Sequence, residues 1–130
     1  MTLSASALAG PVSLSLSPAV ARRQVEALLE DEDWPGDNGD IVLAVHEALV
    51  NAGRHGGGAR RAEVAIDARG VVVTVADRGA GFNPQPFVRR LPDPMAERGR
   101  GLWLICHLAT TCEVHTTQDG NEVIMRFARP

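Results

Sequence analysis

The sequence predicts a two-layer α/β sandwich: a mixed, mostly antiparallel sheet with helices packed on one face and the other face more exposed. Three observations carry this expectation. Alternating or β-branched runs recur at residues 12–16, 60–67, 71–75, 111–117 and 121–127, the mark of strands with at least one buried face. Glycine turns at Ala68-Arg69-Gly70 and Asp119-Gly120 join four of these runs into two antiparallel hairpins. Apolar residues at helical spacing around Val20, Val45 and Leu102 supply three helices for the covering layer.

Along the chain, residues 1–11 are small and polar and are expected to be disordered. Lacking a basic start and a long apolar run, they resemble neither a signal peptide nor a membrane anchor. Val12-Ser13-Leu14-Ser15-Leu16 alternates with period two and reads as a half-buried strand. Ser17 and Pro18 then open a helix, one as N-cap and the other at the first helical position. Val20, Val25, Leu28 and Leu29 form its apolar face as far as Asp33, and Trp34-Pro35-Gly36 breaks it. The second helix starts at residues 37–40, where acidic and amide groups suit the positive end of the helix dipole. Ile41, Ala44, Val45, Ala48, Leu49 and Ala52 share one broad face, whose alanines let the helix sit close against a sheet. Glu47 and Asn51 lie one turn apart on a neighbouring stripe that Arg54 and His55 continue, and Gly56-Gly57-Gly58 stops the helix.

Strand 60–67 points Val64 and Ile66 inward and turns back into the Val71 run, which ends at Asp77 and opens into Gly79 and Gly81. Pro84, Pro86, Pro92 and Pro94 forbid a regular helix over residues 83–98 and predict a stiff surface loop, basic at its ends through Arg89, Arg90, Arg98 and Arg100. Gly99-Arg100-Gly101 opens the third helix, residues 102–109, whose amides and dipole suit an anion.

At 130 residues the chain fits one domain, 1–130, large enough to fold without staples. A net charge of -3 gives no bulk attraction for nucleic acid, and no apolar stretch is long enough to span a membrane, so neither is expected as a partner. All 13 basic residues are arginine, which excludes a phosphate loop ending in Gly-Lys-Ser/Thr. His55-Gly56-Gly57-Gly58 resembles a lipase oxyanion loop, but every serine lies at or before Ser17 and none sits in a nucleophile elbow. Cys106 and Cys112 are too few for a disulfide framework and read as small buried hydrophobes in a reducing, cytoplasmic setting. Metal binding by these two with His107 and His115 is disfavoured, since Cys112 and His115 fall on opposite faces of a strand.

Three polar constellations remain: Glu47-x-x-x-Asn51 on a helix, Asp77-x-Gly79-x-Gly81 after a strand, and Gly99-x-Gly101-Leu102 at a helix start. A strand-end carboxylate followed by permissive glycines can accept a hydrogen bond from an amine such as that of an adenine ring. An amide oxygen is a hard ligand suited to Mg²⁺, and a carboxylate one turn away can reach a hydroxyl attacking a phosphate.

In this order and spacing the constellations resemble the ATP-binding (Bergerat) fold shared by gyrase, Hsp90, histidine kinases and MutL, and most closely the bacterial anti-sigma factor serine-protein kinases. Residues 44–56, 75–82 and 98–105 are similar to that group's three boxes, and the likeness extends from the Val12 strand to Phe127. The resemblance implies ATP and Mg²⁺ as ligands. It implies Asn51 as the Mg²⁺ holder, His55 near phosphate, and Asp77 as receiver of the adenine amine. Gly79 and Gly81 would shape the pocket, Gly99, Arg100, Gly101 and Leu102 would line the phosphates, and Glu47 would be the general base. Residues 83–98 would be the ATP lid. It further implies a homodimer that binds a sigma factor and phosphorylates an anti-anti-sigma antagonist on serine. Two other functions fit the same residues: a nucleotide-dependent binding module without phosphotransfer, and a stand-alone histidine-kinase catalytic domain. The helical phosphoacceptor domain of a sensor kinase has no counterpart here, so a phosphoacceptor would sit on another protein.

Overall fold

The computed structural model describes residues 10–79 and 97–130. Within them, five strands form one sheet in the order β1-β2-β3-β5-β4: β1 (Val12–Ser13), β2 (Ala59–Ile66), β3 (Gly70–Asp77), β4 (Thr111–Thr117) and β5 (Gly120–Ala128). Every pairing among the described strands is antiparallel, so the parallel component expected of a mixed sheet is not seen there. Three helices accompany it: α1 (Pro18–Asp31), α2 (Asn38–His55) and α3 (Glu97–Leu108).

Alternation decides which face is covered. Ala62, Val64 and Ile66 on β2, Val71, Val73 and Val75 on β3, and Met125 and Phe127 on β5 are buried, and the register sets them side by side. Helix α2 is the centre of the opposing layer, packing against α1, α3, β2 and β3. Its face of Ile41, Ala44, Val45, Ala48, Leu49 and Ala52 is buried as its spacing predicts. Asp37 caps it, its Oδ1 accepting from Gly39 N at 2.7 Å.

The outer face carries polar rows instead. Arg61, Ala76 and Glu122 stand opposite one another on three adjacent strands, and the Arg61 guanidinium bonds both Glu63 and, at 2.6 Å, Glu122. Ala76 is small enough for the bridge to pass over it and is fully buried. A pair this exposed stabilises by about 1 kcal/mol at most; its larger effect is to fix the register of three strands.

The described structure departs from the sequence expectation in three further places. Strand β1 is two residues long rather than five; only one more ladder bond, Leu14 N to Ala62 O at 2.8 Å, follows it. In α1, which ends at Asp31 rather than Asp33, the buried stripe is Ala21, Val25 and Leu29. Val20 is exposed, because the helix turns its smaller neighbour Ala21 to the core. Helix α3 begins at Glu97, five residues before Leu102, so Gly99, Arg100 and Gly101 lie inside it rather than before it. Glu97 and Arg98 are good helix formers by type, which outweighs two glycines in a helix anchored by Ile105.

Gly53 sits inside α2, and a methyl group added there would meet nothing within 4 Å. Gly53→Ala removes backbone freedom from the unfolded chain without a clash. It should stabilise the protein by about 0.5–1 kcal/mol, measured as a raised midpoint in thermal or urea unfolding.

Candidate functional site

Asp77 ends β3, and the described chain closes around it from four directions. Its Oδ1 accepts two backbone hydrogen bonds, from Gly79 N and from Asn121 N, each at 3.0 Å. Its main-chain carbonyl accepts from Arg60 Nε at 3.0 Å. Arg60 reaches it because the β2–β3 register shifts between Ala59 and Arg61, a bulge that turns this side chain toward the strand end. Arg78 N then donates to Gly56 O at 3.0 Å and Gly58 O at 3.1 Å, sewing the end of β3 to the glycine turn that terminates α2.

The glycines here are required by contact. A methyl group on Gly56 would overlap the Asp77 carboxylate, standing 2.7 Å from its Cβ and nearer still to Oδ2. Gly120, at φ +133°, lies against the Asp77 carbonyl, in a conformation that side-chain-bearing residues rarely adopt. Gly79 in turn approaches Gly56, where a methyl group would lie 2.9 Å from its Cα. The carboxylate is thus fixed through Oδ1, while Oδ2 accepts no hydrogen bond from the described residues.

Asn121 is a part of this arrangement that sequence reasoning missed. It is 3% exposed, its amide N–H holds Asp77, and its Oδ1 accepts from Thr116 Oγ1 at 2.8 Å. Its Nδ2 is buried without a partner among the described residues. No local sequence pattern marks it, because its contact with Asp77 spans 44 residues of chain.

Glu47 and Asn51 are both half-buried on α2, one turn apart, upstream of the Gly56 turn that touches Asp77. The structure therefore joins the first two constellations through one helix and its C-terminal turn. Helix α3 brings the third alongside by packing against α2. Gly99, Gly101 and Leu102 all lie within it. Gly81, the His55 side chain and residues 83–96 of the expected lid lie outside the described residues.

A family model for the histidine kinase-like ATPase domain matches residues 13–127. The chain belongs to that family. No match is found among curated proteins. Histidine kinase-like ATPase domains bind ATP, typically with Mg²⁺, and the residues around Asp77 fit such a ligand: one carboxylate oxygen is immobilised, the other is left to accept, and glycine stands where a side chain would fill the cradle. No cluster of three or more His, Cys, Asp or Glu that could hold a metal occurs among the described residues.

Gly56→Ala tests the cradle directly. It should weaken nucleotide binding at least tenfold and cost about 1–3 kcal/mol of stability, the usual penalty for overpacking. Titration with a fluorescent ATP analogue and a melting curve would read both, with Gly53→Ala as the control that adds the same methyl group in open space.

Proposed function

We propose that this protein is a Mg-ATP-dependent protein-serine kinase of the anti-sigma factor type, a cytoplasmic homodimer that binds a sigma factor and phosphorylates an antagonist protein on serine. Family membership and the Asp77 cradle support the ATP half of this reading, and the Asp77 cradle is the observation that carries it. The kinase half is supported by the likeness of residues 44–56, 75–82 and 98–105 to that group's boxes, and by a carboxylate and an amide one helical turn apart on α2.

The roles follow from chemistry. Asp77 Oδ2 accepts the adenine amino group, a donor, and so selects adenine over a ring bearing a carbonyl there. Asn51 offers a hard oxygen to the metal, about 6 Å along the helix axis from Glu47. Mg²⁺ neutralises charge on the phosphates when bound. Glu47 accepts the hydroxyl proton of the incoming serine on a carboxylate oxygen, as a general base. Gly99, on α3, presents an amide to the phosphates.

Asp77→Asn separates fold from function. The amide oxygen can still accept from Gly79 and Asn121, so the turn should persist, but the second position becomes a donor facing a donor. ATP affinity should fall by about a hundredfold, the cost of roughly two lost or opposed hydrogen bonds, with little change in melting temperature. Isothermal titration decides it; equal affinities would remove Asp77 from the site.

Phosphotransfer is tested with γ-labelled ATP and the antagonist. An acid-stable product is expected from serine, whereas an acid-labile one would indicate histidine. Glu47→Ala should retain ATP binding and lose transfer by about 10²–10⁴-fold, and Asn51→Ala should lose the Mg²⁺-dependent part of the affinity. Transfer at the wild-type rate by Glu47→Ala would show that Glu47 is not the base.

A further inference from the structure

Strand β4 is an edge of the sheet, bonded to β5 on one side and to no strand on the other among the described residues. Edge strands are usually guarded by lysine, proline, a bulge or sheer shortness. None of these guards β4. It runs seven residues, Thr111–Thr117, in unbroken register with β5, and contains neither lysine nor proline. The opposite edge, β1, is only two residues long.

The direction of its free backbone groups follows from β5. Asn121 N donates to Asp77 Oδ1 at 3.0 Å and Arg129 N to Arg69 O at 2.9 Å, so the odd-numbered residues of this segment turn toward β3 and the β2–β3 turn. The even-numbered ones turn toward β4, where Arg126 O accepts from Thr110 N at 2.8 Å and Ala128 N donates to Thr110 Oγ1 at 2.9 Å. Across the register, Gly120, Glu122, Ile124 and Arg126 meet Thr117, His115, Glu113 and Thr111. These four direct their N–H and C=O groups to β5, and Cys112, Val114 and Thr116 direct theirs away from the sheet.

The side chains add a charge pattern. Glu113 and His115 stand exposed on the open face, His115 in the row of Glu122, Ala76 and Arg61. Glu113 Oε2 lies 3.1 Å from His115 Nε2, and Glu113 Oε1 lies 3.6 Å from Arg126 Nε. Val114, opposite the core-packed Val123, is half-buried on the helix side.

We propose that β4 is the surface through which two copies of this chain pair, antiparallel about a two-fold axis at Val114, making one continuous sheet. This deepens the homodimer of the proposed function and rests on that part of the reading alone. Charge selects the register. An axis at residue 113 would set Glu113 against its own copy, and an axis at 115 would do the same with His115. Of the three, the axis at 114 sets Glu113 of one copy opposite His115 of the other, on both sides of the two-fold. It also pairs the outward backbone groups of Val114 with those of Val114, and those of Cys112 with those of Thr116, and brings the two Val114 side chains together on the helix side.

The test is sedimentation equilibrium of the full chain across a concentration series, with a melting curve and an ATP titration on each variant. The wild type should form dimers. Val114→Pro removes an N–H that β5 does not use, at the kind of edge position that tolerates proline. It should raise the dimer dissociation constant at least about tenfold, the loss of two hydrogen bonds across the axis, with little change in melting temperature. His115→Glu sets carboxylates opposite each other and should also weaken the dimer, whereas Glu113→Arg combined with His115→Glu reverses the pair and should restore it. The charge variants decide if the proline variant fails to fold. A monomer at every concentration overturns the proposal. So does a dimer whose dissociation constant changes with neither Val114→Pro nor His115→Glu, an outcome that leaves the homodimer standing on another surface. Absence of ATP binding beside an intact dimer that depends on Val114 would count against the nucleotide reading and not against this one.

Discussion

The constraint on which the candidate site depends is the division of labour between the two oxygens of Asp77. Two backbone amides, from residues 79 and 121, converge on Oδ1. These bonds to an ionised carboxylate are of the stronger kind, and they join the end of β3 to the start of β5. Because Oδ1 is held, Oδ2 has a fixed direction, and because Gly56, Gly79 and Gly120 carry no side chains, the backbone can close in to hold it. A longer or looser carboxylate could offer the same chemistry but not the same orientation. Apart from Arg60, which bonds its main-chain carbonyl, the groups that give the aspartate its geometry are backbone amides and glycines.

Much of this molecule was legible before its structure, and the reasons are specific. The hairpins followed from alternation joined by glycine turns, since a strand with one buried face can have only one register. The broad face of α2 followed from six apolar positions at helical spacing. Three motif segments in order implied the family, which a family model over residues 13–127 bears out. The start of α3 was hidden because the prolines of 83–94 dominate that stretch and the glycines at 99 and 101 imitate a helix entrance, whereas Glu97 and Arg98 extend the helix into it. Val20 and Ala21 both suit a helical face, and only the depth available beneath α1 selects the smaller.

The roles of Asn121, Gly120, Arg60 and Gly56 were illegible for a different reason. Each acts on Asp77 across a gap in sequence, 44 residues in the case of Asn121, so no local pattern marks them. Arg60 looks like an ordinary strand arginine until the register shift turns it. The helix-stopping glycines after His55 have a complete local explanation as a C-terminal cap, and that explanation conceals the second task of Gly56, making room for a carboxylate.

Helix α2 serves two masters. One stripe, including Ala44, Ala48 and Ala52, is sealed into the core, and the next bears Glu47 and Asn51. The alanines act as spacers that set how near the helix axis lies to the sheet, and with it the height at which both polar groups stand relative to the sheet. Since a helix moves as a rigid rod over so short a length, a bulkier spacer would lift Glu47 and Asn51 by the same increment and leave Asp77 behind. Hydrophobic volume in this layer is therefore a ruler for the site. Selection on chemistry would hold these alanines small even where a larger side chain would make the protein more stable.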